Sequence, residues 1–376
     1  MARVAIEYSP ALLQAGGVGR SVREMTAALL QSARHEYTLV TSGLPAPRLP
    51  TELAAQQRSI PIPDRVLTRL WHRAGAAFPA SLFVRGHDLF FATNFALPPL
   101  PRGMRSAVFI HDLTYLHAAD AAVPSLIAFL SSVVPRAVAT ADVVVVNSLS
   151  TKSDLVAAYG VDPERIHPVQ FGVGTQFRPV EKAVAQSTAA RYGLGGTPYV
   201  LAVGTLQPRK NYARLIEAVG SLRSSGHNVH LAIAGPEGWM TEELRVGANG
   251  SGDFVHLLGK VPDGDLPALY SGALCFAMPS LYEGYGLPVL EAMACGAPVV
   301  TSNVSSLPEA AGGAALLVDP RDVDALADAL GGLVTNAELR ADLAQRGLDR
   351  VRGLTWARTA AELESAFDFA LANPRS

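Results

Sequence analysis

The chain has 376 residues, 49% of them hydrophobic and 17% charged, with a formal net charge of −2. That length carries two domains with cores of their own, and the near-neutral balance gives no basis for a nucleic-acid partner. Two cysteines, Cys275 and Cys295, both in apolar surroundings, exclude a disulfide framework and fit buried thiols in a reducing compartment.

The N-terminus enters a strand-like run at 4–8 without a signal-peptide pattern. The apolar windows around 121–135 and 143–146 are broken by Pro and Ser or are too short to span a bilayer. A cytoplasmic protein is expected. Further strand-like runs at 37–41, 89–92, 107–110 and 143–147 alternate with helical stretches to about residue 170. The alternation restarts at 199–203 and continues through 230–234, 254–258, 274–278, 298–301 and 315–318. Such alternation predicts parallel sheets with crossover helices, and two sets predict an α/β protein of two Rossmann-like domains. The break falls in 171–190, giving domains 1–175 and 176–355. A last helix at 356–376 carries Trp356, Ala360, Leu363 and Phe367 on one face.

In chain order, QAGGVGRS places Gly16, Gly17 and Gly19 after the opening strand, either as a tight β–α turn or as the glycine-rich loop of a dinucleotide fold. A dinucleotide site would need an acid after the second strand, where this chain has Thr41 and Ser42. The region 58–105 holds seven arginines against Asp64 and Asp88. Within it, DRVLTRLWHRA forms a predicted helix with Val66, Leu67, Leu70 and Trp71 on one side and Arg65, Arg69, His72 and Arg73 on the other. It fits an ordinary surface helix or a peripheral contact with an anionic membrane face. His111-Asp112-Leu113 follows a strand and sits at its C-terminal mouth, where open α/β sheets bind ligands; Asp112 there orients the loop or caps a turn. Ser148 to Ser153 begins a helix.

The second domain opens with YVLAVGTLQPRKNYARLIEAV, a strand ending at Gly204 and a helix starting near Asn211. Arg209 and Lys210 between them make a diphosphate clamp, a fork and a point charge. Asp263-Gly264-Asp265 and Asp319-Pro320 read as turn and N-cap chemistry. No His/Cys cluster has metal-ligand spacing, so neither a metal nor another cofactor is expected. The stretch PSLYEGYGLPVLEAMACGAPVVTS follows a buried strand with a glycine loop, Gly284 and Gly286, and a helix opened by Pro288 and closed by Gly296. Such a helix start is an anion site. Its flanking carboxylates, Glu283 and Glu291, suit neutral hydroxyls, and phosphate plus hydroxyls on one ligand suggests a nucleotide sugar.

E-G-Y-G-L-P-V-L-E resembles the E-x7-E motif of the retaining glycosyltransferases of family 4, which have the GT-B fold. The resemblance implies that Glu283 contacts the donor sugar, Glu291 holds the ribose diol, and the amides of Tyr285, Gly286 and Leu287 hold the diphosphate. It further implies a donor-phosphate contact from Gly17, a nucleobase loop with Val261 near the base, and a last helix that crosses back to the first domain. HDLTYLH is similar to the H-D-L motif of mannosyltransferase-like members, which puts His111 beside the reacting sugar. Many relatives carry an Arg directly after the glycine, where this chain has Thr205. The V-G-T-L-x-P-R-K-N version belongs to a subset in which Arg209 and Lys210 supply the charge. The expected catalytic residues are therefore His111, Glu283, Arg209 and Lys210, with Gly204 among the donor contacts. The expected reaction is hexose transfer from a nucleotide sugar to a glycan, lipid-linked or small-molecule hydroxyl. GDP-mannose is taken ahead of UDP- or dTDP-sugars. The alternatives of another class are a nicotinamide-dependent oxidoreductase and a non-catalytic nucleotide-sugar binder.

Overall fold

Runs such as Val143–Val146, with every residue buried, become interior strands of a parallel sheet, because crossover helices cover both sheet faces. In a computed structural model the chain forms two such units. The structure describes all residues except 15, 44, 46, 48, 50–52, 54, 55, 75–82, 122, 240–251 and 374–376. One unit comprises Met1–Tyr115, Pro124–Gly172 and Thr355–Ser376; the other comprises Leu116–Val123 and Val173–Leu354.

The first unit contains β1 (Arg3–Glu7), β2 (Glu36–Ser42), β3 (Gln57–Ile60), β4 (Leu89–Ala92), β5 (Arg105–Ile110), β6 (Val143–Val146) and β7 (Ile166–Pro168). They form a parallel seven-stranded sheet in the order β3-β2-β1-β4-β5-β6-β7. The order reverses between β1 and β4, so the loops leaving these two strands diverge and open a crevice. β3 has no counterpart in the sequence reading. It is a polar edge strand, QRSI, with only Ile60 buried. On one face Phe91 and Phe109 pack with Phe171 and Phe367, and Phe91 lies 5.1 Å from Phe367 ring to ring. Phe367 comes from the C-terminal helix Trp356–Ala372, which packs on the helix Gly17–Ser32 of the same unit. There the buried Glu364 accepts hydrogen bonds from Ser32 Oγ and from Tyr37 at 2.7 Å. The chain's last helix thus covers the sheet that its first residues begin.

The helix Asp64–Ala74 has the limits expected of it, but its apolar side is only partly used. Leu67 is fully buried, whereas Val66 and Leu70 are 42% and 37% exposed. The side chains of Arg65, His72 and Arg73 lie outside the described residues. Ser148 caps the helix Leu149–Tyr159 by accepting from Thr151 N. No helix among the described residues is long and apolar enough to cross a membrane.

The second unit holds β8 (Tyr199–Val203), β9 (His230–Ala234), β10 (Val255–Gly259), β11 (Cys275–Met278), β12 (Val299–Ser302) and β13 (Leu316–Val318). These strands are parallel in the order β10-β9-β8-β11-β12-β13. Here the order reverses between β8 and β11, which pair Val200 with Cys275 and Leu201 with Phe276. Cys275 and Cys295 are buried and free, so neither is in a disulfide. Two capping expectations need correction. Asp265 stands at the N-cap of the helix Leu266–Gly272 but makes no cap; its carboxylate binds Arg191 and Tyr192, each at 2.8 Å. Asp319 makes a local turn to Arg321 N, while Asp322 caps the helix Val323–Thr335. In both cases a longer-range or better-placed partner outcompetes the local one.

Candidate active site

The site of the second unit grows from its switch point. β8 ends at Val203, and Gly204 follows with φ +151°. A Cβ there would lie 2.9 Å from Lys210 Cε and 3.1 Å from the Tyr212 hydroxyl, so the glycine admits the lysine stem against the backbone. The chain then makes a short turn, Pro208–Lys210, and turns sharply at Asn211 (φ 60°) into the helix Tyr212–Ser224. Asn211 Nδ2 donates to the carbonyls of Pro279 at 3.0 Å and Pro320 at 2.6 Å, tying this turn to the loops after β11 and β13. Tyr212 donates to the Gly204 carbonyl at 3.1 Å.

β11 is adjacent to β8, so its exit loop, Pro279 to Gly286, lies over the same mouth. Glu283 in that loop binds both cations of the facing turn. Lys210 Nζ is 2.8 Å from its Oε1 and Arg209 Nη1 is 2.6 Å from its Oε2. Arg209 also donates to the Tyr282 carbonyl at 2.7 Å. Lys210 and Glu283 are 7% and 8% exposed. Burial alone would raise the Glu283 carboxyl, but Arg209 and Lys210 overcome it and hold the group down to about 2. The result is a buried cluster of two cations and one anion, carrying one net positive charge. Such a cluster favours an arriving anion. Ser305 and Ser306 brace the loop: Glu283 N donates to Ser305 Oγ at 3.0 Å, and Ser306 Oγ donates to the Glu283 carbonyl at 2.9 Å. Neither serine sits in a recognisable motif, and neither was singled out from sequence; nor were Asn211 and Tyr270 given roles there.

Gly286 has φ 106° and stands at the N-cap of the helix Leu287–Ala294, where Pro288 has no N–H to leave unmatched and Val289 N donates back to the Gly286 carbonyl at 2.9 Å. Tyr285 is buried in the same loop. Glu291, one turn into the helix and 4% exposed, accepts from the Tyr270 hydroxyl at 3.2 Å. Tyr270 belongs to the helix Leu266–Gly272, which follows the loop carrying buried Val261. Direct side-chain contact thus joins Arg209, Lys210 and Glu283, packed on Gly204, while Glu291 bonds Tyr270.

The remaining sequence candidates belong to the first unit. Gly17 begins the helix Gly17–Ser32, with Gly16 at its N-cap. A Cβ at Gly16 or Gly17 would meet nothing within 4 Å, whereas one at Gly19 would collide with the Gln14 carbonyl at 1.8 Å. The packing of the unit therefore requires Gly19 but neither of the other two. His111 follows β5, is 4% exposed and stacks on Phe109 at 4.4 Å, with Phe95 edge-on at 5.6 Å. Its Nε2 lies 2.8 Å from the Thr93 carbonyl, which can only accept, so Nε2 carries the proton. Burial lowers His111 to about 4 against the opposing pull of Thr93 and Asp112. The ring is expected to stay neutral at pH 6, visible as a histidine resonance whose shift is constant from pH 8 to 5.5; a midpoint near 6.5 would contradict the burial argument. Asp112 accepts from Thr114 N at 2.9 Å and turns the loop. Among the described residues no group of three or more His, Cys, Asp or Glu could hold a metal ion.

Residues 15–177 match the family described as Glycosyltransferase Family 4, and residues 188–350 match Glycosyl transferases group 1. The chain is 30% identical over 282 residues to O-antigen chain mannosyltransferase B of Escherichia coli, covering 74% of each protein. Its structure is similar to sucrose-phosphate synthase from Thermosynechococcus elongatus, with a TM-score of 0.77 and 23% identity over 99% of this chain and 100% of that one. It is also similar to Anabaena HepE in complex with UDP-glucose, with a TM-score of 0.75 and 16% identity over 98% and 100%. Two parallel-sheet units with these neighbours define a GT-B fold, and the enzyme is a glycosyltransferase. The chain belongs to glycosyltransferase family 4, of the retaining class. That membership removes the nicotinamide-dependent oxidoreductase from consideration.

Proposed function

We propose that the protein transfers a hexose from a nucleotide sugar to an acceptor hydroxyl with retention of configuration, with GDP-mannose as the first donor to test. The observation that carries this reading is the buried, net-positive Arg209–Lys210–Glu283 cluster at the mouth of β8 and β11. Mannose is put first because the E. coli relative is named a mannosyltransferase. In this reading Arg209 and Lys210 take the diphosphate together with the amides of Tyr285, Gly286 and Leu287. Glu283 turns to the sugar hydroxyls, Glu291 holds the ribose, and Val261 lies by the base. Gly17 lends an amide to the donor phosphate and His111 supports the sugar as a neutral group. The bond from the anomeric carbon to phosphate oxygen breaks, and the bond to the acceptor oxygen forms on the same face. The acceptor proton passes to the leaving phosphate. Charge developing on the diphosphate is met by groups already in place, which is where preorganised electrostatics lowers a barrier most.

The experiment is nucleoside diphosphate release from GDP-mannose, UDP-glucose and dTDP-glucose, with and without acceptor hydroxyls. Turnover of one donor, persisting in EDTA because the two cations do the work of a metal, is the expected result. Absence of turnover with all three donors would overturn the proposed hexose transfer from these nucleotide sugars. Loss of activity in EDTA with rescue by Mg²⁺ would mean that the diphosphate is held otherwise.

A further inference from the structure

A second polar site lies in the first unit at the C-terminal ends of β1, β2 and β3, the side of an open parallel sheet where ligands bind. A cavity of about 20 Å³ there is lined by Glu7, Ser9, Thr41, Ser42, Asp64 and Trp71, with walls of Val40, Ile60, Val84 and Phe90. Most of its polar groups are satisfied. Ser42 Oγ donates to Asp64 at 3.0 Å, Ser9 and Ser42 share a bond at 3.0 Å, and Gln57 donates to Thr41 at 2.9 Å. Two are not. Glu7 Oε2 and the Trp71 indole nitrogen are both buried without a hydrogen-bond partner. Buried polar atoms are rarely left unmatched, and these two are complementary, an acceptor and a donor on one cavity. A hydroxyl can accept from the indole N–H and meet the carboxyl with its own proton. The volume suits one oxygen-bearing group.

We infer that this cavity is an acceptor subsite that seats one hydroxyl of a neutral, hydroxyl-rich acceptor and disfavours an anionic one. The inference rests on the transferase reading above and adds to it the chemical class of the acceptor. The residues lining the cavity include the Asp64 carboxyl and no Lys, Arg or His, so a phosphate or carboxylate on the acceptor would lose its hydration with no cation in return, whereas a polyol would not. Burial, followed by the neighbouring Asp64, pushes Glu7 up to about 8, so near neutrality the carboxyl is mostly protonated and can share a hydroxyl without carrying a buried charge.

The test uses ligand-observed saturation-transfer NMR on the full chain with GDP present. Methyl α-D-mannopyranoside and myo-inositol serve as neutral probes and mannose 6-phosphate as the anionic one. The neutral probes are expected to bind, mannose 6-phosphate to bind at least about tenfold more weakly, and Trp71→Phe and Glu7→Leu each to weaken the neutral probes by about tenfold, the usual size for one buried hydrogen bond. GDP affinity and donor hydrolysis should not change. Folding of each variant is checked by its melting temperature. Glu7→Leu should melt no lower than the parent at pH 9, because a carboxyl raised by burial costs the native state stability as pH rises through its titration. No binding of neutral probes, equal binding by parent and both variants (a cavity that holds only water), or preference for mannose 6-phosphate each overturns the subsite. Donor hydrolysis that persists in those cases leaves the transferase reading intact; its absence in the parent overturns that reading instead.

Discussion

Glu283→Gln is expected to lower kcat by roughly 10²-fold or more while nucleoside diphosphate affinity stays the same or tightens. The opposing signs follow from the ion cluster. In the free protein Glu283 neutralises one of two buried cations, and the amide leaves Arg209 and Lys210 with an extra unit of uncompensated positive charge. A diphosphate then gains a stronger partner. The donor sugar, in the proposed roles, loses the carboxylate that positions it as its ring flattens and gains charge. Contacts that strengthen toward the transition state appear in kcat, whereas uniform binding contacts appear in KM. Removing one partner of a buried pair also leaves the other charge exposed to an apolar interior, typically at a cost of about 3–5 kcal/mol. The variant should therefore melt lower than the parent and recover more on adding diphosphate. Glu291→Gln serves as the contrast. Its carboxylate accepts from Tyr270 and is proposed to hold the ribose, so diphosphate-nucleoside affinity should fall and saturated turnover should change less. Paired calorimetry and kinetics decide. If both variants behave alike, or Glu283→Gln weakens diphosphate binding, the division of roles is wrong.

That two carboxylates in one motif have such different surroundings was not readable from their spacing. The motif string was legible because Gly286 needs its positive φ and Pro288 its place in the first helical turn, and both are local requirements. The Lys210–Glu283 bond joins residues 73 positions apart and depends on β8 lying beside β11, which no local pattern encodes. The strands themselves were legible wherever both faces are buried, as in β6 and β12, since interior parallel strands are continuous apolar runs. β3 was not, because a polar edge strand looks like loop. Ser305 and Ser306 escaped for a related reason: a hydroxyl bracing a loop leaves no periodicity. Gly19 shows the converse. All three glycines of QAGGVGRS looked alike, and only the folded turn separates the one required by the Gln14 carbonyl from the two that packing leaves open.

Lys210→Ala should act on the same cluster in the opposite sense. The ammonium is 7% exposed, so its bond to an anion is weakly screened, and losing one charge-assisted contact is worth about 1.5–3 kcal/mol, or roughly 10- to 150-fold in nucleoside diphosphate affinity. The variant keeps Arg209 on Glu283, so no charge is orphaned and the fold should survive. A second readout tests whether the lysine acts through Glu283 as well. That carboxyl is depressed from 4.5 to about 2, so its stabilising contribution is fully present above 4.5 and is lost as pH falls toward 2. With one cation gone the folded carboxyl titrates higher, and the part of the acid-induced loss that belongs to Glu283 should be smaller. Melting temperatures of parent and variant, compared from pH 6 to pH 2.5, should therefore converge toward the acid end. Gly204→Ala offers an independent approach, because its added Cβ would press on Lys210 Cε and the Tyr212 hydroxyl without removing any charge, and it too should weaken diphosphate binding. Unchanged affinity in Lys210→Ala would assign the lysine to bracing Glu283 alone, and the phosphate would then have to be held by Arg209 and the helix amides without it.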